Sequence, residues 1–187
     1  MFQNIDILIP IYFKFIQPPL LTDYYWIKIF YLILEKRNKY VKNSTLIFKG
    51  TRDGLNAQYF WKAVNNKENL LMIFQSKSEY IFGAYSPCKW LLDQGDVADP
   101  TYASFLFSQT HNLVYPQKSS ARAIYCSSNY GPTFGEGSDI WICGDFTDSS
   151  SRIGYTFQFH QYQNGKNNPH LFGQIQPQIK ECEIYEI

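Results

Sequence analysis

The sequence predicts a mainly β domain of the α+β class, a sandwich or barrel accompanied by a few short helices. From Thr45 onward, short apolar runs alternate with turn-forming residues, a pattern typical of all-β sandwiches and barrels. Aromatic residues are as frequent as charged ones, at 18% each, which argues against disorder. A chain of 187 residues also has the length of one domain and can bury about 70% of its unfolded surface.

The N-terminal region divides at a tandem proline, Pro18–Pro19, which disfavours both helix and strand. Residues 1–19 are interpreted as a leader, for which disorder is one expectation, and residues 20–187 as the domain. The apolar run at residues 7–13 lacks the basic flank and the small-residue cleavage site of a signal peptide. We therefore expect a reduced, cytoplasmic compartment.

Two helices are predicted. Thr22 or Asp23 can cap the first, which runs to about Asn38 and has apolar residues on nearly all sides, so that much of it should be covered. A short second helix is predicted over Leu55–Val64. Its apolar face is expected to hold Leu55, Tyr59, Phe60 and Ala63.

The strands are predicted from short apolar runs bounded by turn residues. They are Thr45–Phe48, Leu70–Gln75, Tyr80–Tyr85, Ser104–Ser108, Ala123–Ser127, Ile140–Cys143, Ile153–Gln161 and Cys182–Ile187. The clearest alternation of apolar and polar residues lies in Ile153–Gln161, which predicts a strand with one wet face that carries His160. Loops are expected at residues 93–100, 149–152 and 163–169.

The charge distribution excludes some partners. A net charge of +1 excludes a generally basic nucleic-acid binder. Residues 1–43 carry +3 and the remainder −2, which fits either a solvated helix end or a surface for an anionic partner. The apolar stretch Leu20–Leu34 is about fifteen residues long and contains two charges, whereas a membrane span needs about 20. No transmembrane segment is expected.

The cysteines and histidines do not form a recognisable site in the sequence. The four cysteines include no C-x-x-C pair, and most lie in predicted strands, where a thiol behaves as a small buried hydrophobe. The three histidines lack metal-ligand spacing. We expect reduced core thiols, no metal and no cofactor.

Two loop motifs have a structural and a functional interpretation. Gly50–Gly54 resembles a phosphate loop but lacks the Gly-Lys-Ser/Thr ending, which favours a tight connection between strand and helix. The glycine-rich segment Tyr130–Asp139 forces a turn, and its carboxylates do not have the spacing of a calcium loop. At the C-terminus, Glu181 and Glu183 alternate onto one face of the last strand, which we expect to be solvated.

Five segments, in order along the chain, resemble the TLDc domain family. They are Leu46–Gly54, Ile81–Tyr85 with Trp90, Ser104–Ser108, Tyr130–Ile140 and Glu183–Tyr185. The resemblance covers about residues 20–187. It implies a two-sheet antiparallel β-sandwich flanked by helices, in agreement with the strand pattern. Two departures stand out, since Glu136 and Ala84 each replace a glycine that is usual in the family.

The resemblance also implies a function. Family members are associated with resistance to oxidative stress and with binding and regulation of the vacuolar-type proton ATPase, and no catalytic residue transfers from them. We therefore expect a non-enzymatic interaction module with a protein partner, which would place it on the periphery of an organelle membrane. The candidate contact residues are Arg52, Asp53, Tyr130, Glu136 and Asp139.

Two alternative functions stay open at this point. One is a thiol-dependent antioxidant enzyme that uses Cys126 or Cys143. The other is a carbohydrate-binding sandwich that offers an exposed aromatic ring such as Trp141 or Trp90. The sequence does not fix the oligomeric state.

Overall fold

A computed structural model describes residues 16–37, 43–159, 171–174 and 178–187. The helices within these ranges are α1 (Asp23–Arg37), α2 (Gly50–Asp53) and α3 (Ala57–Val64). The strands are β1 (Thr45–Lys49), β2 (Leu70–Ser76), β3 (Ile81–Ser86), β4 (Gly95–Val97), β5 (Phe105–Ser108), β6 (Leu113–Pro116), β7 (Ile124–Cys126), β8 (Tyr130–Phe134), β9 (Ile140–Cys143), β10 (Ser149–Ser151) and β11 (Ile179–Glu186). The predicted leader, residues 1–19, lies largely outside the described residues.

The strands form two antiparallel sheets. One has six strands in the order β1-β11-β2-β3-β5-β6, and the other has five in the order β10-β9-β8-β7-β4. This confirms the prediction of a mainly β, two-sheet antiparallel fold with a few short helices. Among the described residues, no helix combines the length and the apolar character that crossing a bilayer requires.

The main core lies between the two sheets, and the alternation of β2 shows how it is filled. Leu70, Met72 and Phe74 point into this core, where they meet side chains of the five-stranded sheet such as Phe134. Leu71 and the other intervening residues point to the opposite face. Because both faces are buried, β2 has a continuous apolar sequence instead of an alternating one.

Helix α1 covers the outer face of the six-stranded sheet. Tyr25, Ile29 and Ile33 pack against Leu71 and its neighbours on that face. The Tyr25 hydroxyl also lies 2.9 Å from two backbone carbonyl oxygens of the sheet, which share its single proton. The helix begins and ends within one residue of its predicted bounds, but only one of its sides is covered.

The predicted strand Ile153–Gln161 is wrong. Its described part is irregular and makes a single bridge, between Phe157 and Gln117. The predicted alternation also fails, because Thr156 is buried and Tyr155 is 45% exposed. The physical reason is that a side chain, not a neighbouring strand, binds the backbone N–H groups of residues 154–156. Its predicted wet-face residue His160 lies outside the described residues, as does the predicted loop at residues 163–169.

Short strands occur where turns or loops were predicted. β8 lies within the glycine-rich segment, β10 within the predicted loop at 149–152, and β4 within the predicted loop at 93–100. In β8, the register with β9 shifts between Tyr130 and Thr133. The shift falls at Gly131 and Pro132, and Pro132 has no N–H to donate to a neighbouring strand. The irregular register thus allows a strand in a segment whose composition argues against one.

Candidate interaction surface

Helix α2 is a single turn that follows β1 and presents an ion pair. The Arg52 guanidinium donates to both carboxylate oxygens of Asp53, with Nε–Oδ1 and Nη2–Oδ2 distances of 2.7 Å. The hydrogen bond from Arg52 lowers the pKa of Asp53. The same carboxylate accepts the backbone N–H of Lys49 at 2.9 Å. The Arg52 side chain is 54% exposed, so the pair is fixed at its base and open to solvent at its tip.

Beneath this turn lies a buried carboxylate, Glu181. It accepts the backbone N–H of Thr51 at 3.0 Å and the Thr51 hydroxyl at 2.5 Å. Gly50 fits closely above it, because a Cβ at that position would lie 2.3 Å from Leu55 Cδ2 and 3.0 Å from Glu181. The Gly50–Gly54 motif is therefore a tight connection between strand and helix, as its structural interpretation predicted. The contact with Glu181 was not predicted.

The expected solvated acidic face of the last strand is wrong. Glu181 is 7% exposed and Glu183 is 1% exposed. Glu183 accepts from the Lys49 ammonium at 3.2 Å and from the Tyr185 hydroxyl at 3.1 Å. β11 lies inside the sheet between β1 and β2, and α2 packs on it. The sequence of one strand does not reveal that α2 and the neighbouring strands bury its glutamates.

Helix α3 joins this turn to the five-stranded sheet. Asn56 caps the helix by accepting the Tyr59 N–H at 3.0 Å. The Trp61 indole N–H donates to the backbone carbonyl of Tyr130 at 2.9 Å. The buried face is centred on Phe60 and Trp61, whereas Tyr59, expected on the apolar face, is 45% exposed.

A shallow groove of about 510 Å³ lies along α3. Its lining includes the apolar side chains of Trp61 and Leu92 and the polar side chains of Lys62 and Ser128. Sequence reasoning missed this groove. The one signal for it is the apolar pair Leu91–Leu92 directly before the polar run at residues 93–96, and nothing in the sequence places that pair beside α3.

Asp139 is fully buried and supports the loop that precedes it. It accepts the backbone N–H groups of Gly154, Tyr155 and Thr156 at 2.7, 3.1 and 2.9 Å. Burial raises its pKa to about 6, although these hydrogen bonds act in the opposite direction. A Cβ on Gly135 would lie 2.0 Å from Asp139 Oδ2, so only glycine fits there. Asp139 thus positions the loop and offers no exposed atom to a partner.

The five candidate residues do not form one surface. Arg52, Asp53 and Tyr130 lie towards one end of the sandwich, because α3 bridges α2 to the start of β8. Glu136 is exposed beyond the other end of β8, a strand of five residues that spans about 13 Å at about 3.3 Å per residue. Tyr130 itself is half-buried and packs edge-on against Trp141, with the ring centroids 5.7 Å apart.

A family model described as the TLDc domain matches residues 15–187, nearly the whole length. The chain belongs to the TLDc domain family. This confirms the resemblance seen in the sequence. A search of curated proteins finds no match. TLDc domains are generally non-catalytic interaction modules.

The thiols of this TLDc domain have environments that oppose reactivity. Cys126 is 1% exposed, and burial raises its pKa to about 11. Cys143 is half-buried, and burial, followed by the hydrogen bond to Asp145, raises its pKa as well. Its Sγ lies 2.7 Å from Asp145 Oδ1, next to a carboxylate instead of a cation. A thiolate nucleophile needs the opposite arrangement.

The two tryptophans considered for carbohydrate binding differ in their exposure. Trp90 is fully buried and packs against Phe60 and Phe134, so it cannot stack on a sugar. Trp141 is partly exposed. Within the described ranges, no group of three or more His, Cys, Asp and Glu side chains could hold a metal ion.

Proposed function

We propose that this TLDc domain is a non-catalytic interaction module that docks on the vacuolar-type proton ATPase and thereby supports resistance to oxidative stress. The observation that carries the proposal is the Arg52–Asp53 pair. It is fixed by the Lys49 N–H and, through the rest of the turn, by Glu181, while the guanidinium stays exposed. A preorganised exposed group loses little conformational entropy when it meets a partner, which favours recognition.

Docking acts by differential affinity. The TLDc domain stabilises the assembly state of the ATPase that it binds more tightly, by the difference in binding free energy between the states. Arg52 and Tyr130 form the main contact region, and the exposed Glu136 forms a second, separate contact at the other end of β8. Such a partner places the protein in the cytoplasm at the periphery of an organelle membrane.

The partner is proposed from the family to which the chain belongs, and the proposal is tested by reversing the charge of Arg52. Arg52→Glu reverses the exposed charge and is expected to reduce the recovery of ATPase subunits about tenfold in an affinity purification from the protein's own cells. Glu136→Lys tests the other end of β8 in the same way. Quantitative mass spectrometry of the co-purified subunits is the measurement.

The matched control swaps the two charged residues of an ion pair that lies away from both candidate contacts. Lys67 and Glu186 pair at 2.6 Å, and Glu186 lies opposite Thr45, at the other end of β1 from Lys49. The double exchange Lys67→Glu with Glu186→Lys keeps the pair and the net charge, and subunit recovery should stay unchanged. Full recovery with Arg52→Glu and Glu136→Lys would exclude both surfaces, and absence of ATPase subunits from the wild-type sample would reject the partner.

A further inference from the structure

Between Asp23 and Glu35, which are both exposed, the outward side of α1 is apolar, although the opposite side of the helix already packs on the sheet. Tyr24, Ile27 and Tyr31 follow each other at spacings of three and four residues, so they share one helix face. They are 71%, 53% and 48% exposed. The solvent face of a helix on a globular protein is usually polar. An exposed apolar face of this kind indicates a binding partner other than the sheet.

Two further exposed side chains lie beside the helix. Tyr102 is 43% exposed and adjoins the C-terminal end of α1, where the Lys36 ammonium donates to its carbonyl at 3.2 Å. Leu113 is 37% exposed and adjoins the N-terminal half, where the Tyr25 hydroxyl donates to its carbonyl at 2.9 Å. We call these five residues the α1 patch: Tyr24, Ile27, Tyr31, Tyr102 and Leu113.

The size of the α1 patch distinguishes between kinds of partner. With roughly 200 Å² for a fully exposed large side chain, the patch offers about 500 Å². That is at the upper end of what a monomer exposes, and such patches mark interaction sites. It is below the roughly 800 Å² per partner of a standard protein interface, so it does not suffice for a stable pair of copies.

The charges around the α1 patch favour an anionic surface. No carboxylate occurs between Asp23 and Glu35, and Lys28 and Lys36 flank the patch with their amines hydrogen-bonded to neighbouring loops. In the sequence, residues 37–42 add three basic residues and no acidic one. This is the part of the chain that carries the positive excess, +3 against −2 for the remainder.

We propose that the α1 patch docks directly on an anionic lipid bilayer. The tyrosine rings and Ile27 enter the boundary between headgroups and acyl chains, where amphipathic aromatic side chains are favoured. The flanking lysines meet the lipid phosphates and carboxylates while their aliphatic stems stay along the apolar surface. The site lies on the outer face of the six-stranded sheet and does not rest on the proposed ATPase contact.

Vesicle co-sedimentation of the purified full chain tests this proposal. Vesicles in which about a third of the lipid is phosphatidylserine should pull down the protein, and phosphatidylcholine vesicles should bind it about tenfold more weakly. Raising the salt concentration should also weaken binding. Tyr24→Gln, Ile27→Gln and Tyr31→Gln combined should reduce the bound fraction about tenfold, since glutamine keeps the helix and removes the apolar surface.

A matched control variant alters three equally exposed side chains outside the patch. Tyr59, Leu92 and Tyr155 are each 45% exposed, and their combined change to glutamine should leave binding intact. Failure of the wild-type protein to bind phosphatidylserine vesicles would overturn the proposal without any variant. Equal binding to neutral vesicles, or an equal loss in both variants, would also overturn it. Self-association that the α1 variant abolishes, seen by analytical ultracentrifugation, would assign the patch to a second copy instead.

Discussion

Asp139 receives three backbone N–H groups from residues 154–156 and fills the space beside Gly135 with its Oδ2 atom. One carboxylate thus joins the turn after β8 to the irregular segment that follows β10. Its side chain takes the place that a neighbouring strand takes elsewhere in the sandwich, because each N–H needs an acceptor once it is buried.

The two glycines Gly135 and Gly95 provide a matched test of this packing. Their φ angles are nearly equal, +81° and +79°, so an alanine at either position carries the same backbone strain of about 1–2 kcal/mol. Gly95 has open space where a Cβ would be, whereas at Gly135 the Cβ would meet Asp139. We expect Gly135→Ala to lower the free energy of unfolding by at least about 2 kcal/mol more than Gly95→Ala in urea denaturation. Equal losses would show that Asp139 can move away.

The thiols should react slowly, because burial raises the pKa of each cysteine. With iodoacetamide at neutral pH, every native thiol should react more slowly than free cysteine, and Cys143 should be the fastest because it is the least buried. Cys143→Ser should remove that fastest phase, and all four wild-type thiols should react alike after unfolding. A native thiol that outpaces free cysteine would restore the antioxidant-enzyme alternative.

Helix α2 is one turn long, which is too short to be stable alone. It is held by two hydrogen bonds to the Glu181 side chain of β11. Thr51→Val keeps the side-chain shape but removes the hydroxyl that donates to Glu181 Oε2. A buried acceptor would then lack a donor, so the free energy of unfolding should fall by about 2 kcal/mol. Thr51→Ser keeps the hydroxyl and should cost less than half as much. Chemical denaturation of both variants is the measurement, and equal losses would attribute the effect to packing.

Strands whose apolar runs fill one or both sheet faces could be predicted from the sequence. Leu70–Gln75 and Ser104–Ser108 were placed correctly because burial on both sides leaves an uninterrupted apolar run. The prediction failed where contacts distant in sequence decide the structure. In Tyr130–Phe134 an irregular register accommodates Gly-Pro, and in residues 153–159 the Asp139 carboxylate competes with strand pairing.

The pH dependence of folding depends on how Asp139 titrates. Burial raises its pKa to about 6, above the value of about 4 in an unfolded chain, so the folded state binds the proton more tightly. Its contribution to stability is therefore fully present below about pH 4 and is lost as the pH rises through about 6. Between about pH 4.5 and pH 7, wild type should lose about 2 kcal/mol relative to Asp139→Asn.

Taking the difference between wild type and Asp139→Asn removes the contribution of the other titrating groups. His111 acts in the opposite direction, because burial lowers its pKa and its contribution is lost on acidification. Urea denaturation of both proteins across this pH range measures the difference. A difference that stays constant with pH would show that the three N–H bonds offset the effect of burial on Asp139.

The candidate surface was predictable only in part. The sequence indicated Arg52 and Glu136, and both are exposed. It could not show that Asp139, unlike these two residues, is buried. An aspartate in a loop can either face solvent or accept hydrogen bonds from buried N–H groups. Nor could it place the residues relative to one another, since the length of β8 sets the distance between the two loops.

Because α1 covers the outer face of the six-stranded sheet, the smallest unit that can fold includes this helix. Leu71, Ile73, Tyr85, Phe105 and Phe107 are inaccessible to water with the helix in place. In a fragment that started after Arg37, this whole apolar sheet face would be exposed to solvent. Exposed apolar sheet faces cause aggregation. The N-terminal helix is thus an integral layer of the TLDc domain, and a shortened chain should precipitate instead of folding.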